Sequence, residues 1–237
     1  MIVQRYFAKS KNNNYFKLDD GDIHHIINVM RMKNNDFIEV VYDGVLYKCK
    51  VLINEKIDVV FDSIIESNSN DLVEYILIIP VLKEQKMDLV LQKSTELGVS
   101  RIIPITTERT LVKVNDKEDK KIARWSRIVK EASEQSKRVN VPIIDNVMSI
   151  DQLSFSDGVK LVCSTRENQK KIKNIMHNLK EYDKMYIVVG PEGGLSIKEE
   201  KKLNQLGFVS VSLGSRIMRV ETVPLYILSI LNYEFME

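Results

Sequence analysis

Three stretches of this chain combine residue types that can hold a ligand and move charge. The first is Gly190-Pro191-Glu192-Gly193-Gly194, directly after an apolar run at residues 187–189. Three glycines in five residues let the backbone take positive φ and approach a ligand closely, and Pro191 stiffens the bend. Ser196 and Glu199 then stand at capping-box spacing and open a helix. The stretch has neither the Gly-Lys-Ser/Thr of a phosphate loop nor a GxGxxG fingerprint. It reads either as a ligand-lining loop or as a tight strand-to-helix turn, and the carboxylate of Glu192 among the glycines favours the first.

The second stretch spans residues 213–222. Gly214 permits a tight turn, Arg216 and Arg219 lie three apart, and Glu221 to Pro224 begin the terminal helix, where proline suits the first turn. Alone it is an ordinary loop with surface arginines; beside the first loop it becomes a pocket wall. The third is a helix at residues 117–138 with eight basic residues against four acidic, Trp125 among them. The first seventeen residues add Arg5, Lys9, Lys11 and Lys17 with no acid. Such patches are either solvated faces or contacts to a phosphate backbone, whose counterions Lys and Arg release.

The rest of the composition narrows the partners. With 35 Lys plus Arg against 33 Asp plus Glu, the net charge of +2 demands neither nucleic acid nor an acidic membrane by itself. Two cysteines, Cys49 and Cys163, and three histidines, His24, His25 and His177, supply no disulfide framework and no zinc site. His24-His25 reads as a helix-start pair and Cys163 as a small core residue. Gln4 and Arg5 stand where a signal peptide needs its apolar centre, and the longest apolar run, residues 75–82, contains Pro80. A soluble cytoplasmic protein without a structural metal is expected.

The elements that must position these loops fall into two groups. Up to residue 65 the pattern is β-rich: one short helix capped by Asp22 with Ile26, Ile27, Val29, Met30 and Met32 on one apolar face, then strands at 37–42, 46–53 and 57–65. Asp43-Gly44 is a hairpin signal. The polar stretch 66–71 is the expected linker. Strands then alternate with helices: strands at 73–81, 101–105, 161–164, 185–189 and 208–213, helices at 83–97, 117–138, 169–179 and 196–206. Alternation of this kind implies a parallel sheet covered on both faces, with ligands bound beyond the carboxyl ends of its strands. The last helix, 224–235, is apolar on more than one side and is expected to be buried all round, by its own domain or by a second subunit.

At these positions the chain resembles the ribosomal RNA small subunit methyltransferase E family, in the SPOUT or α/β-knot class. The resemblance covers nearly the whole chain. It rests on Arg5-Tyr6-Phe7, the run from His24 to Arg31, Gln92-Lys93-Ser94-Thr95-Glu96-Leu97-Gly98-Val99, Arg124-Trp125 with residues 131–138, and residues 189–194 and 212–222. It implies a PUA-like β-barrel for RNA at residues 1–68, a trefoil-knotted α/β domain at 72–237, and a homodimer. It also implies S-adenosylmethionine-dependent methylation of N3 of a uridine in 16S ribosomal RNA. By motif, Val189, Gly190, Pro191, Glu192 and Gly193 would line one side of the cofactor, and Leu213, Gly214, Ile217, Met218 and Arg219 the other. Met218, Val220 and Val223 depart from the family's usual Leu, Thr and Ala, and Asn34-Asn35 replaces a glycine; the departure at 220 removes a hydroxyl.

The chemistry so implied is an in-line displacement at a methyl group, in which N3 of uracil must also lose a proton. Arg219 is the candidate to stabilise the resulting anion or to orient the base, with Glu221 or Glu192 assisting. Arg5, Lys9, Arg31, Arg124, Arg127, Lys137 and Arg138 are the candidate RNA contacts. Two other readings remain open: a knotted methyltransferase for a different RNA site, and a non-catalytic RNA-binding assembly factor.

Overall fold

A computed structural model describes residues 3–65, 73–112, 118–176 and 184–235. The chain divides into two compact units: the described residues of Met1–Asn70 with Lys130–Val141, and those of Asp71–Val129 with Pro142–Glu237. The expected linker, His177 and Lys117 lie outside the described residues. Residues 130–141, expected in the second domain, group with the first. The reason is local: Lys130 pairs with Asp22 at 2.7 Å and with Asp19, and Val139 packs on Val41 and Leu46.

The first unit is a six-stranded sheet. Its strands are β1 (Arg5–Phe7), β2 (Ser10–Asn12), β3 (Tyr15–Lys17), β4 (Phe37–Tyr42), β5 (Val45–Ile53) and β6 (Ile57–Ile65), in the order β1-β4-β5-β6-β3-β2. Only β1 and β4 run parallel. Asp43 (φ 51°) and Gly44 (φ 72°) form the turn between β4 and β5, both in the left-handed region that a two-residue hairpin needs. Alternate residues Ile38, Val40, Cys49, Val51 and Val59 fill the core with Tyr6 and Ile26.

The short helix corrects the expectation. Asp19, not Asp22, caps α1 (Asp20–His24), its carboxylate accepting from Asp22 N at 2.9 Å. His25–Val29 then winds as a π-turn. The wider winding breaks the 3.6-residue stripe, so Ile26 is buried while Val29 is 58% and Met30 37% exposed.

The second unit holds β7 (Glu74–Pro80), β8 (Val99–Thr106), β9 (Ile143–Ile144), β10 (Met148–Ser149), β11 (Val159–Cys163), β12 (Lys184–Val189) and β13 (Val209–Val211). All pair in parallel, in the order β10-β8-β7-β12-β11-β13 with β9 beside β8. Residues 75–80 of β7 and 185–189 of β12 are buried without alternation, as strands covered on both faces must be. The late strand β12 is inserted between β7 and β11, so the loops after β11, β12 and β13 converge at one edge of the sheet.

The helices are α2 (Glu84–Glu96), α3 (Glu118–Gln135), α4 (Ile172–Met176), α5 (Ile197–Gln205) and α6 (Thr222–Phe235). Trp125, expected among the basic residues of α3, is instead 3% exposed and lies on its buried stripe with Val129 and Ala132. Its own domain does not bury α6 all round. Pro224, Ile227, Leu228 and Leu231 form one buried stripe, while Tyr226 and Tyr233 are 41% and 81% exposed. No described helix is long and apolar enough to cross a membrane.

Candidate active site

A cleft of about 550 Å³ opens in the second unit where the loops after β11, β12 and β13 meet. The β12 loop is shaped by its glycines. A Cβ on Gly190 would stand 2.9 Å from the Leu195 nitrogen, so the backbone closes on itself there in a way only glycine allows. Gly194 (φ 69°) donates to the Pro191 carbonyl at 2.7 Å and completes the turn. The predicted capping box is present: Ser196 N donates to Glu199 Oε2 at 2.8 Å and Glu199 N to Ser196 Oγ at 3.2 Å. The other oxygen of Glu199 accepts from Glu108 N at 2.8 Å.

The candidate cofactor residues Val189, Gly190, Pro191, Glu192, Gly193, Ile217, Met218 and Arg219 all line this cleft, together with Val220 and Val223. Leu213 and Gly214 do not. Gly214 (φ 124°) instead turns the chain so that residues 217–219 return to the rim. Glu221 sits just behind the wall.

Three residues that sequence reasoning passed over, all cations, hold the site together. Lys86 of α2 reaches Glu192 Oε1 at 2.9 Å and Glu221 Oε2 at 3.3 Å. Arg109 donates to the Gly193 carbonyl at 2.6 Å. Arg166 donates to the Leu195 carbonyl at 2.6 Å and pairs with Glu200 at 2.7 Å. Cys163 lines the cleft, and burial pushes its thiol up to about 12, so it is an un-ionised wall rather than a nucleophile. The three cations lie far from the glycine loops in sequence, and isolated basic residues in a chain this rich in Lys and Arg carry no signal. The one available sign was the Lys86 side of α2, which an apolar stripe alone does not use.

Electrostatically the cleft is balanced with one exception. The Glu192 hydrogen bond, aided by Glu221, holds the Lys86 ammonium above its ordinary value. Burial would raise the Glu192 carboxyl, but the Lys86 hydrogen bond and charge outweigh it and hold that carboxyl below its ordinary value. Glu221 Oε2 is buried without a hydrogen-bond partner, facing Lys86 only as an ion pair. Arg219 is exposed, and its guanidinium has no partner among the described residues. No cluster of three or more metal-ligating side chains occurs among the described residues.

The family model for an RNA methyltransferase domain matches residues 68–232, and that for an RNA methyltransferase PUA domain matches residues 18–62. The ribosomal RNA small subunit methyltransferase E of Bacillus subtilis (strain 168) is 34% identical, covering 98% of this chain and 97% of its own. This chain belongs to the ribosomal RNA small subunit methyltransferase E family. A second relative, from Mesomycoplasma hyopneumoniae, is 30% identical over 96% of this chain and 98% of its own. A crystal structure of the Neisseria gonorrhoeae methyltransferase E bound to S-adenosyl methionine superimposes with a TM-score of 0.85 at 28% identity, covering 98% of both chains. The fold is therefore the α/β-knot class behind an N-terminal PUA-like domain, as the resemblance implied.

The structure separates the candidate RNA contacts of this methyltransferase E chain. Arg5 is a correction: it is 8% exposed, donates to Glu39 at 2.9 Å and to the carbonyls of Lys137 and Arg138, and so is buried in the unit rather than presented to a phosphate. Lys137 also spends charge on Glu39, at 3.2 Å. Both fasten residues 137–138 to β4. Lys9 and Arg31 are exposed in the first unit. In the second unit Arg127 is exposed, and Arg124 is paired with Asp88 and, at 3.1 Å, with Glu84. Arg138 is half-buried.

Proposed function

We propose that this chain transfers a methyl group from S-adenosylmethionine to N3 of a uridine in the 16S RNA of the small ribosomal subunit. The observation that carries the reading is a cleft between two glycine loops in which one guanidinium, Arg219, stays unpaired while Lys86 and Arg166 are offset by carboxylates.

The residues present fit the cofactor. A volume of about 550 Å³ suits a small ligand. The backbone cradle at Gly190 admits close approach, Val162, Ile217, Met218 and Val220 offer an apolar wall, and Glu192 complements a cation. Residues 189–193 and 217–219 would hold it, with Leu213 and Gly214 setting the return of the second loop. When bound, S-adenosylmethionine supplies an electrophilic methyl group on a sulfonium.

The protein's own task is positioning and the N3 proton. As that proton leaves, negative charge spreads onto the flanking carbonyl oxygens of uracil, and Arg219 is free to stabilise it. Glu221 or Glu192 assists, both carboxylates being paired with Lys86. Lys86 holds the Glu192 carboxyl below its ordinary value and so keeps it ionised. The Val220 side chain, 5% exposed, packs into the wall where a hydroxyl would stand in the family pattern.

We further infer a cytoplasmic homodimer in which residues 1–68 serve RNA binding and residues 72–237 catalysis. Ile217 (83% exposed) at the cleft rim and Tyr226 and Tyr233 on α6 are apolar surface that a second copy would cover. Lys9, Arg31, Arg124 and Arg127 are the candidate RNA contacts that stay exposed.

The test is methylation of small ribosomal subunits from a strain lacking this gene, with labelled S-adenosylmethionine and mass mapping of the 16S RNA. One added methyl group at N3 of a single uridine is expected. Transfer to another base atom, or none, would overturn the reading; failure of S-adenosylmethionine to bind in calorimetry would favour an assembly factor.

A further inference from the structure

The outward face of the sheet in the first unit is covered at one end and open at the other. Strand alternation puts Phe37, Glu39 and Val41 of β4 on that face. At the covered end Val139 lies on Val41 and Leu46, and Lys137 pairs with Glu39. At the open end the register draws one cross-strand row: Phe37 opposite Lys50, Lys50 opposite Val60, Val60 opposite Tyr15.

This row contains two rings that bury little. Phe37 is 38% and Tyr15 53% exposed, on a face where solvent should select polar side chains. Cations surround them. Lys48 and Lys50 hold their ammonium groups 4.1 and 5.3 Å from the Phe37 ring centroid, and exposed Lys17 lies two residues beyond Tyr15 on the same face. At the open end Asp58 and Asp62 are the acids, so three lysines meet two carboxylates, while Glu39 at the covered end is held by Arg5 and Lys137; Asp62 pairs with Lys50 at 3.0 Å and Lys48 at 3.8 Å.

We propose that this row is a stacking platform for unpaired bases of the RNA substrate, with Phe37 and Tyr15 under the bases and Lys17, Lys48 and Lys50 on the phosphates. The proposal rests on the RNA-methyltransferase reading and deepens it by naming the RNA feature the first unit takes. Strands stand about 4.8 Å apart, so rings three strands apart lie roughly 14 Å from one another. That is room for two or three splayed bases, the number that exposed aromatics on a sheet of this size hold. A duplex keeps its base faces inside its own stack and has none to offer. Lys48 marks the open side of the Phe37 ring, and an arriving base moves that ammonium onto its phosphate.

The test is fluorescence anisotropy of the full chain with a single-stranded RNA oligonucleotide and with a duplex of the same composition. Phe37→Ala with Tyr15→Ala is expected to weaken single-strand binding by at least about tenfold and to leave duplex binding within about twofold. Phe37→Trp, which keeps the ring, is expected to retain affinity. Its emission should be quenched by the single strand, because Trp125 is buried. Unchanged single-strand affinity in the double variant, equal losses on both RNAs, or an unquenched Phe37→Trp would each overturn the platform. If the native chain bound the single strand through these rings yet methylated no ribosomal RNA, the platform would stand and the methyltransferase reading would fall.

Discussion

Lys86 and Glu192, 106 residues apart in the chain, meet at 2.9 Å and tie the first turn of α2 to the glycine loop after β12. The pair keeps the Glu192 carboxyl charged below the ordinary carboxylate range although burial pushes the other way. Lys86→Gln removes the opposing cation and leaves burial unopposed, so Glu192 then takes up its proton at higher pH. The acid limb of the pH–activity profile is expected to move to higher pH in Lys86→Gln, with the alkaline limb in place. A superimposable acid limb would show that the charge of Glu192 is not needed.

Arg219 is the unpaired cation of the cleft. Arg219→Ala is expected to lower kcat roughly 10²-fold, the scale on which one charge-stabilising donor acts in a dry site. Calorimetry run in parallel separates that loss of turnover from any loss of S-adenosylmethionine affinity. Turnover close to native would remove Arg219 from the chemistry.

The two loop glycines are expected to fail differently. Gly190→Ala drives a Cβ to 2.9 Å of the Leu195 nitrogen, so the loop backbone must move and S-adenosylmethionine binding should be largely lost. Gly194→Ala meets nothing within 4 Å but holds φ at 69°. Its cost is conformational, about 1–2 kcal/mol of stability, with binding retained. Thermal melting and calorimetry on the two variants separate the effects.

Lys130 faces three carboxylates in the first unit: Asp19, Asp22 at 2.7 Å and Glu134 at 3.5 Å, with the Tyr6 hydroxyl nearby in a hydrogen bond to His25. Burial, with Asp22 adding to it against Lys130, raises the Glu134 carboxyl from 4.5 to about 7. A raised carboxyl means that the folded state holds a proton the unfolded state has released, so stability falls as pH rises from about 4.5 to 7 and is level above. Glu134→Gln cannot ionise. It should melt higher than the native protein at pH 8, and the gap should close as the pH drops towards 4.5. A gap independent of pH would place the effect in packing.

Much of the site was legible before any coordinates. The turns at Gly194 and Gly214 and the Ser196/Glu199 box are local signals, because capping and positive φ depend on residues within a few positions of each other. Strand runs such as Phe37–Tyr42 and Ile57–Ile65 were equally readable, since burial on a sheet writes itself into apolar and β-branched residues. Asp19 taking the cap from Asp22 escaped notice because two acids three apart offer the same signal, and the π-turn that follows obeys no sequence period.

What the sequence determined by itself, then, was the kind of chain and the loops that matter: two glycine turns after parallel strands, and a family resemblance spread across the whole length. Tertiary structure alone decided which charges are free. Arg5 and Arg219 are the same residue type, yet Arg5 is sealed against Glu39 and two carbonyls from residues 137–138, while the Arg219 guanidinium is exposed and has no partner among the described residues. The physical reason is that an ion pair is set by distance in space. Lys86, Arg109 and Arg166 reach the glycine loop through sheet order and helix packing, and neither the insertion of β12 between β7 and β11 nor the approach of α2 is written in any local pattern.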